Sequence, residues 1–396
     1  MIAYPKIYLD NVEILREAKK WHITKLITDQ KHEELILKYK HPMYSPNLFI
    51  RIGLLVFTLI SASAANGLLM AFTGMFDSSE SGMSIHLIVH GAVMLFVLEF
   101  FIKEKHIYKS GIDDALLYLS LSSIVTGLST IFYNYEFGES NSFLLISVLT
   151  LPFLIAATIR YSDSLVALSA FGCVLAILFL LIDTMGGFTK PFLPFVAMIV
   201  AAVAYFLIIK FRKSEKLRYW DNVFWILELA SLILFYFAGN YYIVRTLTEE
   251  LLGIYLNEGE DIPMALFFYA YTAIIPLVYI FIGLKNKNKL LLQAGLILIA
   301  ASVLTFKYYF SLGHHEITMT IGGIIMIALA WVSINYLKTP KYGITYKEDK
   351  DENPLGKFDA ETLIIAQSFG TQHNQGETNP EMGGGKFGGG GADGGF

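Results

Sequence analysis

The chain has 396 residues, of which 55% are hydrophobic and only 16% charged, and its mean hydropathy is +0.53. Soluble domains carry about 25% charged residues, and here the charges cluster and leave long uncharged runs between them, which excludes an ordinary soluble fold and points to a polytopic membrane protein. The formal net charge of −4 decides little, and the single cysteine, Cys173, rules out an intramolecular disulfide and a cysteine-built metal cluster.

The first 48 residues are polar, with no apolar segment near the start of the kind a cleavable signal peptide has, so the first span is expected to act as its own insertion signal. Two amphipathic helices are predicted here. NVEILREAKKW places Val12, Leu15 and Ala18 on one face. HITKLITDQKHEELILKYK offers Thr28 or Asp29 as an N-cap and Leu35, Ile36 and Tyr39 as an apolar side. Together they form a cytoplasmic hairpin over 1–48, with Trp21 expected to pack the two helices against each other.

A helix needs about 20 apolar residues to cross the hydrocarbon core. Ten segments qualify: 50–73, 84–102, 113–133, 142–159, 164–182, 191–211, 221–244, 263–284, 289–310 and 316–337. The third is the least regular, because it opens on Asp113 and Asp114 and is rich in Ser and Thr. The predicted fold is therefore all-α, a polytopic bundle of about ten transmembrane helices over 49–337. With the N-terminus inside and sides alternating, 27 of the 30 Lys and Arg fall on the inner side and only Lys190, Arg245 and Lys307 outside. That bias predicts both termini in the cytoplasm. Trp220, Trp225 and Tyr219 are expected at the inner membrane edge, and Tyr241, Tyr242, Tyr308 and Tyr309 at the outer one. Pro152 and Pro276 are expected to kink their spans. In the loop after the seventh span, TLTEELLGIYL reads as an amphipathic helix lying on the outer surface, with Thr246 and Glu249 as a capping box.

After the last span, 338–357 is a charged linker, FDAETLIIAQSFG (358–370) a short helix, and the remainder a polar and glycine-rich tail ending GGGKFGGGGADGGF. That tail cannot pack a core, so it is either inert or bound by a protein partner. The other partner implied by the composition is the lipid bilayer; no basic, aromatic-interleaved face suggests nucleic acid.

Nucleotide-binding and hydrolase motifs are missing, and HHEITM (314–319) has Met319 where a zincin motif needs its second His. What remains are polar groups at membrane depth, which are costly and so informative. On the outer side, His86 and His90 share a helix face at i, i+4, Asn66 lies at similar depth on the first span, and His314 and His315 stand at the junction of the last two. They are the candidates for a metal or proton-linked site. On the inner side, Glu228 lies two turns into the seventh span, which makes it the candidate for transport or proton coupling. Glu99, near the end of the second, is a further candidate for that role beside Asn66, with snorkelling toward Lys103 as the structural alternative. The residues leave a cofactor undefined. They favour a non-enzymatic membrane protein, with two alternatives: a secondary transporter coupled through Glu228, or an intramembrane metal or redox site on the outer His residues.

LREAKKWHITKLITDQKHEELILKY followed by RIGLLVFTLISASAANGLL resembles the N-terminal end of a family of bacterial multispanning membrane proteins of unknown function. The shared features are the Trp21 position, the Ile27-Thr28-Asp29-Gln30 start of the second helix and the glycine-containing first span. That resemblance implies a bacterial inner-membrane protein and carries no activity. The terminal GGGKFGGGGADGGF is similar to the Phe/Gly tails of envelope proteins bearing a TPM-type domain, although the domain itself is missing from this sequence.

Overall fold

A computed structural model describes residues 2–73, 80–133, 139–184, 192–252 and 261–309, with single positions at 320, 323, 324, 327, 328, 331, 335 and 338. The linker beyond 338, the short helix at 358–370 and the glycine tail lie outside the described residues, as do His314, His315 and most of the tenth predicted span. Among the described residues every regular element is helical: α1 (Lys6–Ile23), α2 (Asp29–Lys38), α3 (Leu48–Thr73), α4 (Glu80–Lys105), α5 (Ile112–Tyr133), α6 (Glu139–Tyr161), α7 (Ser164–Thr184), α8 (Leu193–Arg212), a 3-10 turn (Glu215–Trp220), α9 (Asp221–Gly239), α10 (Tyr241–Leu252), α11 (Ala265–Asn286) and α12 (Lys289–Tyr309).

Nine of these segments, α3 to α9 with α11 and α12, are long and apolar enough to cross a membrane, so the architecture is that of a multi-pass membrane protein. Their outward faces are apolar, with Phe72 88% and Leu266 83% exposed, as lipid contact requires. Successive spans pack as hairpins: α4 with α5, α6 with α7, α8 with α9 and α11 with α12, while α3 leans on α5. Two hairpins use the same device. A Cβ at Gly91 of α4 would lie 2.7 Å from the Ser120 carbonyl oxygen of α5, and one at Gly127 of α5 would lie 2.9 Å from the Ser84 carbonyl oxygen of α4. In the second, a Cβ at Gly283 of α11 would lie 2.7 Å from the Leu292 nitrogen and one at Gly295 of α12 would lie 3.0 Å from the Pro276 carbonyl oxygen. Small residues let membrane helices approach closely where apolar burial gives no drive.

Two helices form in the N-terminal segment, and Thr28 caps α2 through its Oγ1, which accepts from the Lys31 N–H. Trp21, however, is 44% exposed. The two helices are joined instead by His22, which bonds Asp29 at 2.6 Å and stacks on His32 at 4.4 Å. Three further expectations change at the far end of the bundle. The seventh span stops at Gly239, because Asn240 turns extended and its Oδ1 accepts from the Ile243 N–H, starting α10. Thr246 therefore lies inside α10, its hydroxyl donating to the Tyr242 carbonyl, and Glu249 pairs with Arg245 rather than closing a capping box. Tyr241 is fully buried, stacked on Tyr269 at 4.0 Å and donating to Asp261, so it holds α10 to α11 rather than marking a membrane edge.

Candidate functional site

The end of the bundle that carries the α1–α2 hairpin gathers several charged side chains, and three carboxylates there, Asp114, Glu99 and Glu228, each have an arginine from another element. Arg51 of α3 meets Asp114 of α5 at 2.6 Å, the latter side chain 8% exposed. Arg160 of α6 grips Glu99 of α4 with two bonds of 2.7 and 2.8 Å, and the Tyr161 hydroxyl donates to the same carboxylate. Arg212 of α8 joins Asp221 and, at 2.8 Å, Glu228 of α9, which is 3% exposed; Asn288 reaches the other Glu228 oxygen at 3.4 Å. Glu99 therefore binds the span beside it rather than snorkelling at Lys103. Charge pairs of this kind are the usual means of holding ions at membrane depth.

The connection from α4 to α5 is built by the sequence HIYKSGID. Tyr44, just before α3, bridges to Ile107: its N–H donates to the His106 carbonyl and its own carbonyl accepts from Tyr108. Asp113 then closes the loop, accepting from the Ser110 N–H and hydroxyl and from the Lys109 N–H, a carboxylate reaching back over a helix start. The loop needs three left-handed residues, His106, Lys109 and Gly111. At Gly111 a Cβ would fall 2.0 Å from the Arg51 carbonyl oxygen, so only glycine lets α3 come close enough for Arg51 to reach Asp114. At Lys109, φ is +48°, a conformation that costs an ordinary residue about 1–2 kcal/mol.

Between these pairs lies a cavity of about 410 Å³, walled by the ends of six spans. Its polar lining includes Arg51, Lys109, Asp114, Tyr118, Asp163 and Asn222. Asp163 caps α7 through the Val166 N–H and accepts from the Tyr118 hydroxyl. A second cavity of about 280 Å³ adjoins it under α1, sharing Tyr108, Lys109, Tyr161, Ser162 and Asn222 with the first and adding Glu13, Arg16 and Arg218. The N-terminal segment covers both. The Ala3 N–H donates to the Arg160 carbonyl at 2.7 Å, the Tyr4 hydroxyl donates to Asp113 at 3.3 Å, and Asp10 takes Arg218 and the Tyr219 hydroxyl. Burial, and then the Asp113 charge, hold the Tyr4 phenol well above its ordinary pKa, so it stays a donor in this contact. Burial, and then repulsion from Arg16 and Arg51, lower the pKa of the Lys109 ammonium.

At the far end the structure brings two of the predicted candidates together: the His86 ring bonds Asn66 at 3.0 Å. His90 stacks on His86 at 6.4 Å but turns to Ser123 of α5 at 3.0 Å. Among the described residues no three His, Cys, Asp or Glu side chains converge as metal ligands. No family model, no curated protein and no solved structure matches the chain, so its chemistry is read from this geometry. Sequence reasoning passed over Lys109, Asp113, Asp114 and Asp163. Ser110-x-x-Asp113, a cap motif at the head of the third span, was the one local signal for any of them.

Proposed function

We propose that the chain is a non-enzymatic multi-pass protein of the bacterial cytoplasmic membrane that binds a small polar solute in the cavity at its hairpin end, with that end facing the cytoplasm. The cavity carries the reading. It carries charged and polar side chains in a partly apolar wall, lies where six spans end, and is roofed by a segment that combines hydrogen bonds and an ion pair with the packing of Tyr4 and Leu9 against the core. The surplus of Lys and Arg on the hairpin side supports the orientation. Solute transport coupled through Glu228 is the weaker reading, because Glu228 lines neither cavity and its oxygens are engaged by Arg212 and Asn288. The test uses full-length protein with Cys173→Ser and a reporter thiol in the wall, Ser164→Cys. The thiol is expected to react with a water-soluble maleimide and to be protected by the low-molecular-weight filtrate of a cell extract. A thiol that reacts at the same rate with and without the filtrate would overturn the reading.

A further inference from the structure

Charges in the two hairpin-end cavities divide into those that are satisfied and those that are not. Asp113 accepts from Tyr4, Lys109 N–H and Ser110. Asp114 is paired with Arg51, and Asp163 is held by Tyr118 and the start of α7. Arg212 has Asp221 and Glu228, and Arg218 has Asp10.

Two cations are left over. Lys109 lines both cavities and Arg16 lines the second, and among the described residues neither has a carboxylate at ion-pair distance. The Lys109 ammonium lies over the Tyr108 ring, 5.5 Å from its centroid. Glu13 also lines the second cavity and pairs with neither cation. Arg16 and Arg51 disfavour charge on Lys109, and Asp114 and Asp163 offset them in part.

A partly buried, unpaired ammonium on a left-handed, non-glycine backbone combines two unfavourable features at one residue. Strain that persists in this way is characteristic of sites shaped for a ligand. A glycine or asparagine would fit the loop better, and no direct ion pair compensates a lysine held there, since Asp114 is taken by Arg51 and Asp163 by Tyr118. An oxyacid group removes the conflict, since it accepts charge-assisted hydrogen bonds from both.

We propose that the solute is a small anion whose carboxylate or phosphate group sits between Lys109 and Arg16, with the rest of the molecule extending into the larger cavity toward Asn222 and Tyr118. This rests on the solute-binding reading above and adds the charge class and the residues that recognise it.

The experiment is again maleimide protection of Ser164→Cys in the Cys173→Ser background. The small-molecule filtrate is split on an anion-exchange resin, and inorganic phosphate and succinate are run beside it at constant ionic strength. Protection is expected in the resin-bound fraction and from at least one of the two pure anions, and which of them protects tells phosphate from carboxylate. Lys109→Gly is expected to weaken protection about tenfold or more, as loss of a charged hydrogen bond does, while the melting temperature without solute holds or rises because the backbone strain is relieved. Arg16→Gln, on an exposed helix face, is expected to weaken protection without changing that melting temperature.

Protection confined to the unbound fraction would overturn the anion inference and leave the solute-binding reading standing. No protection by any fraction overturns both. A Lys109→Gly protein that melts lower but keeps full protection shows Lys109 to be structural, and also overturns the inference.

Discussion

The ion pair of Arg212 with Glu228 shows what a single buried charge demands. The Glu228 side chain is 3% exposed, and a carboxylate so placed is tolerable only while its counter-charge is present. Removing the arginine should therefore be worse than neutralising the acid. Arg212→Ala is expected to destabilise the folded protein by about 3–5 kcal/mol. Glu228→Gln keeps an acceptor for Arg212, which also retains Asp221, and is expected to cost about 1 kcal/mol. The double variant should regain part of the Arg212→Ala loss, as coupled neighbours do. Denaturant unfolding of the purified protein in detergent measures all three; equal losses for the two single variants would show that the pair is not the stabilising unit. Glu228 was legible in the sequence as an expensive residue, because a lone acid stands out within an apolar run. Its partner was not, since Arg212 is itself explained by the positive bias at helix ends, and only the α8–α9 hairpin places the two side by side.

Helix packing in this bundle depends on close backbone approach at a few glycines rather than on stripes of large side chains. Gly91 and Gly127 each face the partner helix's backbone, and a methyl at Gly91 would also meet Ile124 Cγ1 at 2.6 Å. The nearest obstacle at Gly127 besides the Ser84 carbonyl is likewise a branched side chain, Ile88, at 2.7 Å. Backbone cannot swing aside as a flexible side chain can, so α4 and α5 must separate to admit even alanine. Gly91→Ala and Gly127→Ala are each expected to cost about 1–3 kcal/mol. Gly67→Ala in α3 is the control: nothing lies within 4 Å of the added carbon, and alanine is the better helix former by about 0.8–1.0 kcal/mol. Melting temperatures should fall for the first two and hold or rise for the third; a fall at Gly67 equal to that at Gly91 would mean that packing at the α4–α5 contact is not the cause.

Among the described residues, hydropathy located nine of the ten expected spans to within a few residues, because a membrane-crossing helix must be apolar around its whole circumference and so announces itself without any partner. The exception, the early stop of α9 at Gly239, comes from Asn240 finding Tyr236 one turn back and Thr305 of α12, at 3.0 Å each, and the second of these contacts is distant in sequence, so no local pattern records it. The cavity was illegible for the same reason, since its walls come from six spans whose relative placement the sequence leaves open. Orientation is a separate matter, for a bundle of antiparallel helices packs equally well either way up and only the charge outside the apolar core distinguishes its ends. Translocating Lys and Arg is opposed, so the end holding the hairpin should remain on the synthesis side. Single cysteines in the Cys173→Ser background decide this in intact cells. Glu250→Cys, on the exposed face of α10 at the far end, is expected to react with a membrane-impermeant maleimide from outside. Lys285→Cys, exposed near the hairpin end of α11, is expected to react only after the cells are permeabilised. The two positions lie at opposite ends of one membrane crossing, so their labelling must differ if α11 spans the bilayer. The reverse pattern would place the hairpin outside and remove the cytoplasm as the source of the bound solute, while equal labelling at both positions would show that α11 does not cross at all.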